Sequence, residues 1–135
     1  MVYLTRVEHF NAAHKLYNPH WSKEKNDEVF GKCSNENWHG HNFELFVTVK
    51  GMPHPDTGFI VDAKHLSRII KDRVVEKLDH RNLNLDVDFM EGKMASIENL
   101  VLGIWQELKH HIPSGAELHC IKLVETPRIF VEYYG

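Results

Sequence analysis

At 135 residues, 42% of them hydrophobic, the chain is long enough to bury one sizeable core and too short for two, so a single domain over 1–135 is expected. Its formal charge of -3, with acidic and basic residues interspersed, leaves no basic patch that would neutralise phosphates, which argues against a nucleic-acid partner. Cys33 and Cys120 lie too far apart to suggest a secreted disulfide framework, and neither a charged-then-apolar leader nor a run of about 18 apolar residues appears; no membrane span and a reducing, soluble, cytoplasmic setting are the expectation.

In chain order, 2–15 reads as a first strand, with Leu4, Phe10, Ala12 and His14 on one parity and Val7, His9 and Ala13 on the other. The stretch 16–38 reads as a long connection, of the kind that is functional or disordered in a small domain. His39-Gly40-His41 opens a second strand running to Val49, and Phe43, Leu45, Val47 and Val49 share the face of both histidines. A Gly- and Pro-rich turn over 51–58 and a short extended piece over 59–61 follow. Asp62 is then placed to cap an amphipathic helix over 63–77, whose Leu66, Ile69, Ile70, Val74 and Leu78 recur at helical spacing. Ser96 caps a second helix with the stripe Ile97, Leu100, Val101, Ile104, Trp105 and Leu108, stopped by Pro113-Ser114-Gly115. The segments 116–126 and 128–134, around Pro127, read as a C-terminal hairpin. The order β-β-α-α-β-β predicts an α+β fold, an antiparallel sheet with two helices on one face.

Side chains at i and i+2 of a strand project together, so His39 and His41 point the same way, and Gly40 puts no bulk beneath an ion held between them. If the first two strands are neighbours, His14 can meet this pair at its strand end; His9 is the rival third ligand. Three imidazoles suit zinc and leave a fourth tetrahedral position open to water or substrate. The plain alternative is a strand end with solvated histidines. Cys33 is a candidate base or nucleophile if a metal or cation favours its thiolate, or else a packed loop cysteine; Cys120, within an apolar strand, reads as structural. Asp79-His80 is either an acid–base pair or a solvated helix end. Glu125, on the parity of Ile121 and Leu123, is either a buried acid in need of paired N–H donors or a rim carboxylate.

Four stretches together resemble a known family: Phe30-Gly31-Lys32-Cys33-Ser34-Asn35-Glu36-Asn37-Trp38-His39-Gly40-His41-Asn42-Phe43, Leu78-Asp79-His80-Arg81-Asn82-Leu83, Ser96-Ile97-Glu98-Asn99 and Glu125-Thr126. They look like the family of 6-pyruvoyltetrahydropterin and 6-carboxytetrahydropterin synthases, in order and over nearly the whole chain. The resemblance implies the tunnelling fold, a homohexamer of two stacked trimers and active sites between subunits. It implies a lyase that takes 7,8-dihydroneopterin triphosphate, a small-molecule pterin substrate, to 6-pyruvoyltetrahydropterin with loss of triphosphate and no external redox cofactor. By the same resemblance zinc sits on His14, His39 and His41, Cys33 is the base, and Asp79 and His80, from a neighbouring subunit, relay protons. Glu125 accepts hydrogen bonds from the pterin ring, and Glu98 adds a ring contact. Lys15, Lys32 and Arg128 are unranked candidates for the triphosphate.

The chain departs from the family at two places. Ser96-Ile97 stands where Thr-Thr or Pro-Thr is common, so a hydroxyl contact there rests on Ser96, and Trp38 stands where a glycine usually precedes His-Gly-His. The five residues between Cys33 and His39 favour the pyruvoyl branch over the 6-carboxytetrahydropterin synthases of queuosine biosynthesis, whose gap is usually shorter and which also release acetaldehyde. A pterin- or zinc-binding scaffold without turnover is the third reading.

Overall fold

The alternating first segment becomes β1 (Val2–His14), which pairs antiparallel along its length with β2 (His39–Gly51) in a register that sets His14 opposite His39 and Ala12 opposite His41. The computed structural model describes every residue from Met1 to Gly135. On the other edge of β2 lies β4 (Ala116–Thr126), antiparallel and bulged near Thr48–Val49, and β5 (Ile129–Tyr133) folds back on β4 as the expected hairpin.

Phe10, Phe43, Leu45, Val47, Val49, Ile121 and Leu123 form the buried sheet face, as the parity predicted. Against it pack Leu66, Ile70 and Val74 from the first predicted helix and Leu100, Ile104 and Leu108 from the second, in one continuous core. Full burial of each such side chain is worth about 1.5–3 kcal/mol. No helix is long and apolar enough to cross a membrane.

The fold corrects the sequence reading in two places. First, the sheet is mixed rather than wholly antiparallel. A two-residue strand β3 (Arg81–Asn82) runs parallel to β1 at Ala12–Ala13, giving the order β3-β1-β2-β4-β5. Second, the connection 16–38 contains α1 (Lys23–Phe30), capped by Ser22 accepting from the Lys25 N–H, and a 3-10 turn over Gly31–Ser34. This helix carries no apolar stripe; the residue it buries is Asn26, whose amide donates to the Asn18 and Ser22 carbonyls. The short piece over 59–61 pairs with no strand of the sheet. Val61 is instead buried ahead of the Asp62 cap, whose carboxylate accepts from the Lys64 N–H at 2.8 Å.

The helix then runs as α2 (Ala63–Ile70), loosens to a π turn over Lys71–Val75 and closes as α3 (Glu76–Leu78). The second predicted helix is α4 (Ile97–Leu108), with Ser96 accepting from the Asn99 N–H. Cys120 is buried in β4, in keeping with its reading as structural, although it lies on the other sheet face from the main apolar cluster. It faces away from the helices, paired with Thr48, and Tyr134 covers its thiol.

Candidate functional site

At the shared end of β1 and β2 the register gathers three imidazoles. Ring centres lie 4.5 Å apart for His14–His39, 5.1 Å for His14–His41 and 5.0 Å for His39–His41. Their ligand nitrogens fall within 4.8 Å of one another, a cluster that could hold a metal ion. His14 is 3% exposed, and its Nδ1 lies 2.7 Å from the Ala95 carbonyl. A carbonyl only accepts, so Nδ1 carries the proton and Nε2 keeps its lone pair.

Burial pushes all three histidine pKa values down, reinforced by the neighbouring rings and opposed at His14 by Ala95 and Glu125. The rings are therefore neutral, the form that ligates. His14 Nε2, His39 Nδ1 and His41 Nε2 are buried without a hydrogen-bond partner. Leaving such atoms unmet costs about 1–3 kcal/mol each, and a single cation meets all three, so the donor set fits a zinc ion. Gly40 serves a different purpose from the one expected: a Cβ there would lie 3.2 Å from the Ala12 carbonyl oxygen, so its smallness lets β1 approach β2 between the two histidines. His9 stands outside the cluster, beside Glu44 at 3.7 Å.

Glu125 closes the group at the end of β4. Its carboxylate oxygens lie 3.7 Å from His41 Nε2 and 3.9 Å from His14 Nε2. Burial pushes its pKa up, opposed by His14 and aided by the nearby charge of Glu98. Glu98 is exposed on the first turn of α4. The Ser96 hydroxyl oxygen already accepts from the Asn99 N–H at 3.2 Å, and the Asn99 amide donates to the Met94 carbonyl at 2.9 Å. These bonds fix the loop that presents the Ala95 carbonyl to His14.

Cys33 lies in the 3-10 turn after α1 with its thiol exposed. The turn is tied to the continuation of β1, because the Leu16 N–H donates to the Cys33 carbonyl at 2.8 Å. The Asp79–His80 dyad is docked elsewhere on β1. Asp79 Oδ1 accepts from the Asn11 N–H at 2.9 Å, and the His80 N–H donates to the Asn11 carbonyl at 2.7 Å. His80 sits at φ 59 and its Nδ1 lies 2.9 Å from Asp79 Oδ2. The Asn11 N–H holds the Asp79 pKa down, with help from His80. No hydrogen bond or ion pair joins Cys33 or this dyad to the histidines within the chain. The dyad occupies the strand edge that β3 extends.

Sequence reasoning missed a cleft of about 810 Å³ formed by the segment after β1, α1 and the turn that follows it, lined by Lys15, Tyr17, Lys23, Asp27, Lys32 and Glu36 among others. It exists only because α1 does, and the one available signal for that helix was Ser22 ahead of the Lys23–Asp27 pair four residues apart. Both lysines among the triphosphate candidates, Lys15 and Lys32, line it. Arg128 instead lies in the turn between β4 and β5, its N–H donating to Thr126 Oγ1.

The family model described as 6-pyruvoyl tetrahydropterin synthase matches residues 3–135. A 6-pyruvoyl tetrahydrobiopterin synthase of Dictyostelium discoideum is 41% identical over 135 residues, covering 99% of this chain and 96% of that protein. One from Pongo abelii is 39% identical over 126 residues, covering 93% and 86%. The solved structure of the Caenorhabditis elegans 6-pyruvoyl tetrahydropterin synthase superposes with a TM-score of 0.90 at 35% identity, covering 99% of this chain and 95% of that one. With nearly the full length matched in sequence and in fold, the chain belongs to the 6-pyruvoyl tetrahydropterin synthase family.

Proposed function

We propose that this protein is a zinc-dependent lyase that converts 7,8-dihydroneopterin triphosphate to 6-pyruvoyltetrahydropterin with release of triphosphate. The observation that carries the reading is the trio of buried, partnerless imidazole nitrogens facing the Glu125 carboxylate. Zinc held on His14, His39 and His41 supplies Lewis acidity toward the hydroxyls of the substrate side chain, which makes the adjacent C–H protons easier to remove.

The chain's own groups perform the remaining work. Glu125 accepts a pair of hydrogen bonds from the ring N–H and amino group of the pterin, which fixes the ring plane, and Glu98 adds a ring contact. The Cys33 thiolate takes a proton from the side-chain carbon. Triphosphate leaves from the terminal side-chain carbon with its bonding electrons as the middle carbon loses its proton, and the resulting enol tautomerises to a methyl ketone. The carbinol carbon next to the ring also gives up its proton, its electron pair reduces the ring C=N bond, and protons return to the ring nitrogen and carbon. The second ketone and the tetrahydro ring thus form together without an external cofactor. Asp79 holds His80 by its Nδ1, leaving Nε2 to relay the further protons. Since the dyad and the histidines do not touch within one chain, a neighbouring subunit brings the dyad to the site in a homohexamer of stacked trimers. The edge of β1 beyond Ala12–Ala13 and the outer edge of β5 have no partner strand in the sheet, which supports edge-to-edge assembly.

The test is to incubate purified protein and zinc with 7,8-dihydroneopterin triphosphate and identify the products by mass. The pyruvoyl product with free triphosphate is the expected result, as the names of the similar proteins favour. A 6-carboxy product with acetaldehyde would place the chain on the other branch. Substrate bound but unchanged would make it a scaffold.

A further inference from the structure

A lysine side chain is ordinarily among the freest in a protein, yet Lys15 is held at both ends. Its backbone N–H donates to Asn84 Oδ1 and its carbonyl accepts from Asn84 Nδ2, both at 3.0 Å. Its ammonium lies 4.3 Å from the centre of the Trp38 ring and 5.1 Å from that of Tyr17. Trp38 delivers its ring from a left-handed backbone, φ 69, which is sterically disfavoured for a bulky residue. Aromatic faces attract a cation without neutralising it. Lys15 therefore reaches the cleft positioned and still fully charged, with no carboxylate in ion-pair contact.

The other charges of the cleft sort themselves out. The Lys23 ammonium lies 2.6 Å from Asp27, whose other oxygen accepts from Ser34, so that pair cancels. Lys32 has no carboxylate partner, and Glu36 is the one acid in the cleft left without an ion pair. Lys15 follows the metal-ligating candidate His14, and Lys32 precedes Cys33. The cleft is thus lined by the sequence neighbours of a candidate metal ligand and of the candidate base.

We infer that Lys15 and Lys32 form a polyphosphate subsite in this cleft, with Trp38 and Tyr17 presenting Lys15 to the anionic chain and Glu36 limiting its affinity. The inference rests on the reading of the substrate as a triphosphate ester, and it ranks Lys15 and Lys32 above Arg128.

The probe is inorganic tripolyphosphate, titrated calorimetrically into the zinc-loaded protein, so the test does not depend on turnover. Lys15→Met should weaken binding about tenfold, as loss of one charge-assisted contact does, and Lys15→Arg should restore much of it. Glu36→Gln, an exposed change that leaves the fold alone, should tighten binding. With the pterin substrate, Lys15→Met should raise KM while kcat holds, which separates capture of the substrate's own triphosphate from capture of free phosphate chains. Unchanged tripolyphosphate binding in Lys15→Met, or no tightening in Glu36→Gln, would overturn the subsite. Absence of turnover in the unaltered protein would overturn the proposed reaction and leave the binding result standing.

Discussion

Trp38 allows the cost of a left-handed backbone to be measured apart from the value of its ring. It stands at φ 69, and a side chain in that region carries a penalty of roughly 1–2 kcal/mol that glycine escapes. Trp38→Ala and Trp38→Gly both delete the indole, with its contact to the Lys15 ammonium at 4.3 Å, worth about 0.5–1 kcal/mol. They differ in that alanine keeps the backbone penalty whereas glycine relieves it, at a loss of about 0.4–1 kcal/mol to the greater freedom of the unfolded chain. Glycine should therefore come out the more stable of the two by about 0.5–1 kcal/mol, read as a difference in urea midpoint at constant slope. The same pair at Leu102, exposed in the middle of α4, should show the opposite order, with glycine less stable by about 1 kcal/mol. An alanine variant at 38 as stable as the glycine variant, or more so, would refute the strain.

Three further outcomes are expected. Cys33→Ala should abolish triphosphate release while zinc and pterin still bind, measured by product mass and by metal content; full activity would remove the thiol from the mechanism. His14→Ala should lose stoichiometric zinc, because two ligands remain where three converge within 4.8 Å, and retained zinc would point to a different ligand set.

Glu8 tests the core electrostatics. Burial raises its carboxyl pKa, but hydrogen bonds from Ser67 and Arg6 outweigh that and hold it below its ordinary 4.5. A depressed folded-state value means the stabilisation is complete above pH 4.5 and is lost as the pH falls through the lower folded value. Glu8→Gln should therefore be less stable by about 1–2 kcal/mol at neutral pH, with the gap from the unaltered protein closing in acid. A gap that persists at low pH would contradict the charge-based account.

The histidine cluster was legible because a strand has period two. His14 shares a parity with Phe10 and Ala12, His39 and His41 with Phe43, and once β1 and β2 pair in the observed register the three must meet. The apolar stripes and the Asp62 and Ser96 caps were legible for the same local reason. What escaped was either polar or long-range. Helix α1 buries an asparagine rather than a stripe, and β3 is two residues whose strand character exists only against the edge of β1. The approach of Glu125 to His14 and His41 depends on a register that a bulge shifts at Thr48–Val49, which no spacing within β4 reveals. The left-handed backbone at Trp38 runs against its residue type, and its one trace in the sequence was that a glycine usually holds this place in the resembling family.

The claim that most needs testing is that the three histidines hold the ion on which turnover depends. Metal-free protein should be prepared by chelation, checked by circular dichroism for an intact fold, and titrated with zinc while triphosphate release is followed. The account predicts a folded, inactive protein whose activity rises linearly and saturates at one zinc per chain. Full activity without metal, or unfolding on chelation, would contradict it.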